Sequence, residues 1–295
     1  MNSYDVPQKD LPTLPTESTG AALEHYQVIE AKSGLNLPFR ELWRYRELLY
    51  FLTWRDVKIR YKQTALGAAW AILQPVMTMI VFSLLFGRLA GMDTRTGGVP
   101  YPIYVFAGLL PWTFFSTALA NSGNSVVGSA NLITKVYFPR LIIPLASAGA
   151  GLVDLAISFS VLLVMMVWYK IALTAQLFLV PLFLFGTVLA ATGVGTLLSA
   201  LTVAYRDFRY VVPFLVQIWM FITPVIYPSS IIPKEWRWVQ ALNPMAGLID
   251  GFRASFLGRP LEWGNILISL AVSIALFFMG VFYFRSVERR FADII

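Results

Sequence analysis

The stretch from Leu177 to Ala204 contains no charged residue, and several other apolar runs in the chain are also long enough to cross a bilayer. A spanning helix needs about 20 mostly apolar residues, and only helices or closed barrels satisfy the backbone inside lipid. The runs are continuous rather than alternating, which favours helices. Only 13% of the residues are charged, against about 25% in a soluble domain. The sequence therefore predicts an all-α integral membrane protein.

The apolar runs predict six transmembrane helices. Their predicted bounds are Leu66–Phe86, Ile103–Val127, Ala146–Tyr169, Leu177–Ala204, Val211–Tyr227 and Ile266–Phe284. If both termini are cytoplasmic, fourteen lysines and arginines flank these runs on the cytoplasmic side and seven lie on the other side. Positive charge concentrates in cytoplasmic loops. We therefore expect a multi-pass protein with both termini in the cytoplasm.

The first 62 residues differ in composition from the rest of the chain. Residues 1–34 are polar and proline-dotted, which predicts a disordered cytoplasmic tail, and they lack the apolar stretch of a signal peptide. In residues 35–62, Leu42, Tyr45 and Leu49 form one apolar stripe beside many basic residues, which predicts an amphipathic interface helix. This helix is expected to anchor the chain at the membrane surface, with contact to a cytoplasmic partner as a further possibility. Residues 63–295 then form the six-span domain.

A second unusual segment, residues 228–262, separates the last two predicted spans. Its two apolar pieces, EWRWVQAL and MAGLIDGFRASFL, are each too short to cross the membrane, and Asn243-Pro244 divides them. Non-helical backbone at membrane depth must be enclosed by protein or water. The segment is therefore interpreted as a re-entrant helical hairpin, with a cap lying flat on the surface as the alternative.

Small and polar residues within the spans leave two interpretations open. Ala191, Gly195 and Ser199 lie four residues apart, a spacing that lets helices approach closely, either at a subunit or pore seam or within one subunit. Asp154 is the one clearly intramembrane acid. Acids in spans often serve ion coupling, and the alternative is a structural hydrogen bond.

The residue inventory argues against catalysis by this chain. The sequence has no cysteine, which excludes disulfides and thiolate metal sites, and its one histidine is His25 in the polar tail. It contains no G-x-x-x-x-G-K-[ST] phosphate loop and no G-x-S-x-G nucleophile motif. We therefore expect no enzymatic activity, no cofactor and no nucleic-acid partner. Energy for any transport must then come from another polypeptide on the cytoplasmic face.

A short basic and aromatic segment is the candidate contact for that polypeptide. It lies between the second and third apolar runs, and we call its six residues the docking segment: Lys135, Val136, Tyr137, Phe138, Pro139 and Arg140. Tyr137 and Phe138 are expected to fill a hydrophobic pocket on the partner, and Lys135 and Arg140 to pair with its acidic groups. Pro139 is expected to end a short helix. The alternative is that the aromatics belong to the membrane-interface belt.

Three stretches carry a family resemblance: RYKQTALGAAWAILQP (60–75), TKVYFPRLIIPLA (134–146) and ALNPM (241–245). Together they resemble the membrane subunit of ABC exporters for polysaccharides, which include O-antigen, capsule-related and teichoic-acid export permeases. The resemblance implies a homodimeric channel in the bacterial inner membrane, a separate ATPase subunit that holds ATP and Mg²⁺, and a lipid-linked polysaccharide as cargo. It also implies that about residues 131–140 form a coupling helix that fits a cleft on the ATPase.

Aromatic side chains in the spans are candidates for the wall of such a channel, because rings stack on the apolar faces of sugars. The candidates are Phe82, Phe86, Phe106, Trp112, Phe114, Phe115, Trp219 and Phe221. Aromatics in spans also serve as packing or belt residues. Three rival functions are export of a drug, lipid or small molecule by the same kind of exporter, ion-coupled transport of a lipid or sugar, and a membrane-bound transferase.

Overall fold

A computed structural model describes residues 39–62, 67, 69–288 and 291, so the predicted tail 1–34 lies outside the described residues. All regular structure within the described residues is helical. A π-helical segment, Ser83–Leu89, continues α3, and short 3₁₀ turns lie between some of the helices. The α-helices are α1 Phe39–Arg44, α2 Arg46–Lys62, α3 Ala69–Phe82, α4 Tyr101–Gly128, α5 Ala130–Lys135, α6 Ile142–Trp168, α7 Val180–Ala204, α8 Phe208–Ile222, α9 Arg237–Ala241, α10 Pro244–Leu257 and α11 Trp263–Val287.

In the part of the chain that the structure describes, five helical stretches are long and apolar enough to cross a membrane. They are Ala69–Leu89, Tyr101–Gly128, Ile142–Trp168, Ala175–Ala204 and Trp263–Val287. They correspond to five of the six predicted spans and confirm a multi-pass, all-helical membrane fold. The remaining predicted span corresponds to α8, which has 15 residues. It ends at Ile222 because Thr223 precedes Pro224 and is extended, with φ −87° and ψ 138°, as a residue before proline prefers. The six-span count stays a prediction.

Helix α4 lies at the centre of the subunit, and α3, α6, α7, α8 and α10 all pack against it. Side chains on every side of α4 are buried, including Ile103, Phe106, Leu110 and Phe115. A helix that is apolar all round is stable only when other elements surround it. The composition of α4 therefore accounts for its central position.

Small residues bring α7 into close contact with two neighbours. A Cβ atom added to Gly280 of α11 would lie 2.0 Å from the carbonyl oxygen of Gly193 in α7. On another side of α7, a Cβ atom at Gly195 would lie 2.8 Å from the Cβ of Ser122 in α4. Ala191 and Ser199 are buried in the same helix. These contacts support packing inside one subunit as the role of the small residues.

Helix α2 packs along the first half of α6 through polar contacts. The Ser147 hydroxyl donates to Asp56 at 3.3 Å, and both Arg60 and Tyr61 donate to the Asp154 carboxylate. Burial and the hydrogen bond to Asp154 raise the pKa of Tyr61 to about 12, so the phenol stays protonated and able to donate at neutral pH. The surroundings of Asp154 fit the structural hydrogen bond rather than a proton-exchanging site.

Candidate partner-docking site

The docking segment forms a sharp connection between α5 and α6. Helix α5 ends at Lys135, and Val136 is already extended, with φ −133° and ψ 134°. The carbonyl of Pro139 accepts from the amide of Ile142 at 3.0 Å, which begins the turn into α6. The expectation that Pro139 ends the short helix needs correction, since the helix ends four residues earlier and Pro139 instead starts the next turn.

The two aromatic residues of the docking segment point to opposite environments. Tyr137 is 70% exposed and Val136 is 53% exposed, whereas Phe138 is only 5% exposed. The two rings were expected to dock together on a partner. In this subunit only the Tyr137 ring lies on the surface, and the Phe138 ring is part of the interior. Lys135 is also exposed, so residues 135–137 form the surface that a partner can contact.

Phe138 belongs to a buried cluster that holds the docking segment in place. The cluster joins residues from six helices and the docking segment, and its members include Leu52, Val126, Ile133, Phe138, Leu141, Ile142, Val203, Phe284 and Phe291. The rings of Phe284 and Phe291 meet edge to face, with centroids 5.2 Å apart. We call this group the anchor cluster. Because it includes residues of α2, α7 and α11, the docking segment rests on three other parts of the subunit.

Arg140 connects the docking segment to the last helix. Its guanidinium donates to the backbone carbonyl of Glu288, which caps the C-terminal end of α11. Arg285 in the last turn of α11 bonds Glu41 of α1 at 2.7 Å. Arg140 was expected to pair with an acidic group on a partner, but in this subunit its guanidinium bonds a carbonyl of the chain itself. Lys135 has no carboxylate within ion-pairing distance among the described residues and is the better candidate for that role.

The candidate channel aromatics fall into two groups. Phe106, Trp112, Phe114 and Phe115 are at most 4% exposed and lie in the main core around α4. Within the subunit they serve as packing residues, which corrects the expectation that they line a channel, because α4 is enclosed by its neighbours. Phe82, Phe86 and Trp219 are partly buried against that core, and Phe221 is 49% exposed.

Asn243 and Pro244 of the ALNPM stretch begin helix α10. The Asn243 side-chain oxygen accepts from the amide of Met245 at 3.0 Å and from the Trp219 indole at 3.1 Å. Its amide nitrogen donates to the Thr223 hydroxyl at 2.8 Å. Asparagine is a preferred N-cap and proline suits the first helical position. This pair therefore both starts α10 and ties it to the end of α8.

Arg253, whose role none of the predicted motifs indicates, is buried in α10 at 2% exposure. Its guanidinium makes five hydrogen bonds of 2.7–3.2 Å, one for each N–H donor. The acceptors are the Tyr104 carbonyl and hydroxyl, the Asp250 carboxylate, and the carbonyls of Pro224 and Val225. The signal that could have revealed it is a lone arginine inside an apolar helical stretch, where a charge persists only when fully paired. Arg253 fastens α10 to α4 and to the break after α8.

Among the described residues, no three histidine, aspartate or glutamate side chains come together to hold a metal.

Comparison with known proteins places this architecture in a family. The sequence model of the ABC-2 type transporter membrane domain matches residues 47–257, from the start of α2 to the end of α10. The chain is 32% identical to the O-antigen export system permease protein RfbA of Myxococcus xanthus, over 87% of this chain and 98% of that protein. It is 28% identical to RfbA of Klebsiella pneumoniae, over 84% and 95%. It is 24% identical to the polysialic acid transport protein KpsM of Escherichia coli, over 79% and 91%. The chain belongs to the ABC-2 type transporter family.

Proposed function

We propose that this chain is the membrane-spanning permease of an ATP-driven exporter that moves a lipid-linked polysaccharide of the O-antigen type across the bacterial inner membrane. The observation that carries this proposal is the similarity to O-antigen export permeases over nearly their whole length. Membership of the family makes the chain a transport subunit whose ATP-binding partner is a separate subunit. ATP and Mg²⁺ bind that partner in this scheme, and this chain needs no cofactor of its own.

The docking segment is the proposed coupling site for the ATPase. The support is its geometry, in which Lys135, Val136 and Tyr137 are exposed at a tight connection while Phe138 and Arg140 hold that connection against the rest of the subunit. An exposed aromatic on a firmly supported turn suits insertion into a pocket, since little conformational freedom is lost on binding.

The region before the first span is the proposed interface helix, covering residues 35–62 with α1 and α2. Trp43, Tyr50 and Trp54 are exposed on it, and Arg46 and Lys58 lie 5.5 and 5.7 Å from the rings of Trp43 and Trp54. Tryptophan, tyrosine and basic residues favour the boundary between lipid and water. The anchoring of α2 to α6 would hold this helix at that boundary.

The segment before α11 is the proposed re-entrant hairpin, formed by α9 and α10. Helix α10 is buried along nearly its whole length, yet its 14 residues span roughly 21 Å, less than the hydrocarbon core. Gly258, with φ 64°, ends α10 in the left-handed conformation that glycine adopts at little cost. The burial of α10 between α4, α7 and α11 favours this arrangement over a cap lying flat.

A second copy of the chain is the proposed partner for the exposed apolar face of α8. That face carries Tyr210, Phe214, Ile218 and Phe221, which are 41–78% exposed, while α8 contacts α4 and α7 on its other side. Two such faces, together with α3, would enclose a channel between the copies. With α8 counted as the sixth span, both termini lie in the cytoplasm.

Reconstitution into vesicles tests the proposal. The chain and its ATPase should move a labelled lipid-linked polysaccharide to the far leaflet when ATP is supplied, and inactivating the ATPase should stop this movement. Because Asp154 is bonded to Arg60 and Tyr61, Asp154→Asn should leave transport dependent on ATP. Uphill transport by the chain alone, abolished by Asp154→Asn, would instead identify an ion-coupled carrier. Movement of a drug or small lipid but not of the polysaccharide would instead identify an ATP-driven exporter of drugs or lipids.

A further inference from the structure

A cavity of about 580 Å³ lies beside the end of the first span, between α3, its π-helical continuation, the start of α4 and Tyr169. Its lining changes character along the helix. Met79, Ile80 and Leu84 give one part an apolar wall, and Arg88 and Asp93 line the other part. The boundary between membrane and water lies where the apolar span gives way to charged residues, and the cavity therefore crosses that boundary.

Three polar side chains of this cavity make no ion pair or side-chain hydrogen bond among the described residues, and two of them, Arg88 and Asp93, are exposed. Arg88 and Asp93 form no ion pair with each other or with any other described group. The Ser83 hydroxyl is buried without a hydrogen-bond partner, whereas Thr78, in the preceding turns, donates to the carbonyl of Gln74 at 2.9 Å. A buried hydroxyl without a partner costs free energy, so a ligand that bonds Ser83 would be stabilised there.

Glycine at position 87 lets the Asp93 carboxylate lie close to the helix backbone. A Cβ atom on Gly87 would lie 3.0 Å from Asp93 Oδ1, so the carboxylate rests against bare backbone. The π-helical segment Ser83–Leu89 is the local widening that often marks functional positions in helices. The lining of the cavity therefore contains both a cation and an anion, and this favours a ligand that carries both charges.

We propose that this cavity binds a membrane glycerophospholipid whose headgroup contains both a phosphate and an amine. Arg88 binds the phosphate, Asp93 binds the ammonium group, and Ser83 donates to an ester carbonyl. One acyl chain lies along Met79, Ile80 and Leu84. The order of these groups along the helix supports the assignment. The apolar residues, then Ser83, then Arg88 follow one another toward the charged end of the helix, and the acyl chain, ester and phosphate follow one another in the same order in a phospholipid. This inference goes beyond the proposed export function and does not depend on it.

The test measures lipid binding to the purified, delipidated chain in detergent by native mass spectrometry. The probes are phosphatidylethanolamine, phosphatidylglycerol and soluble phosphoethanolamine. We expect phosphatidylethanolamine to bind more tightly than phosphatidylglycerol, since the glycerol headgroup has no cation for Asp93. Phosphoethanolamine without acyl chains should bind at least about 100-fold more weakly, because it loses the apolar contacts.

Variants locate the site. Arg88→Gln should weaken both lipids about tenfold or more, in line with the loss of a charge-assisted hydrogen bond. Asp93→Asn should weaken phosphatidylethanolamine and strengthen phosphatidylglycerol, which a purely structural role would not produce. Arg95→Gln is the matched control, since Arg95 is exposed in the same connection and does not line the cavity. The proposal would be overturned if the native chain bound the two lipids equally. It would also be overturned if the lipid affinities of Arg88→Gln and Asp93→Asn equalled those of Arg95→Gln. The melting temperature of each variant verifies that it is folded.

Discussion

The Arg140 guanidinium bonds the backbone carbonyl of Glu288, and this links the docking segment to the C-terminal end of the last span. Carbonyls in the last turn of a helix have no partner within the helix, and a cation placed there also interacts favourably with the helix dipole. Phe138 lies in the same buried cluster as Phe284 of that turn. A partner that displaces the docking segment would therefore act directly on α11.

Replacing Arg140 should loosen the end of α11. In Arg140→Ala the Glu288 carbonyl loses a charge-assisted bond, and we expect amide hydrogen exchange in the last turn of α11 to rise about tenfold. Hydrogen-exchange mass spectrometry of peptides from that turn measures this change. Lys135→Ala is the matched control, since Lys135 is an exposed cation of the same segment. Equal exchange in the two variants would show that Arg140 does not support the helix end.

The two aromatic residues of the docking segment should respond differently to truncation. Phe138→Ala removes a ring that is 5% exposed, and we expect it to destabilise the fold by about 3–5 kcal/mol. Tyr137→Ala should leave the melting temperature unchanged and weaken ATPase binding about 30-fold, the loss typical of a hot-spot residue.

Co-purification of the ATPase and thermal unfolding of each variant separate these effects. Tyr50→Ala is the control for Tyr137→Ala, because Tyr50 is 67% exposed on α2. Full recovery of the ATPase with Tyr137→Ala would contradict a docking role for that ring.

The spans could be predicted from sequence far better than the docking segment could. The length of the apolar runs placed the third and fourth long helices within a few residues of Ile142–Trp168 and Ala175–Ala204, because lipid imposes a minimum length on any crossing helix. Neither apolar length nor helical periodicity predicts the opposite orientations of Tyr137 and Phe138, since both residues lie in a non-helical connection. Their environments depend on α11, which lies more than a hundred residues away in the chain.

Arg253 tests how firmly α10 is fixed. Lysine has three donors where arginine has five, so Arg253→Lys leaves at least two of the five acceptors without their partner. We expect a loss of roughly 2–4 kcal/mol in stability, read as a lower melting temperature in detergent. Arg259→Lys is the control, because Arg259 also lies near the Tyr104 ring, at 5.2 Å, but is partly exposed. Equal melting temperatures for the two variants would refute the anchoring role of Arg253.

Two glycines in α11 offer a matched pair for testing the contact between α7 and α11. A Cβ atom at Gly280 would lie 2.0 Å from the Gly193 carbonyl oxygen, and because that atom is backbone, only a separation of the helices can relieve the clash. At Gly264 an added Cβ meets nothing within 4 Å. Alanine is the better helix former by roughly 0.5–1 kcal/mol, so Gly264→Ala should raise the melting temperature slightly or leave it unchanged.

Gly280→Ala should lower the melting temperature markedly and reduce the yield of folded protein. Since α11 also packs on α10, a displaced α11 should expose the hairpin to proteolysis between α9 and α10, where Asn243 caps α10. Limited proteolysis of the two variants under the same conditions measures this. If Gly280→Ala and Gly264→Ala have similar stability and similar cleavage, α7 and α11 separate at little cost. The close approach of these two helices then does not hold α10 in place.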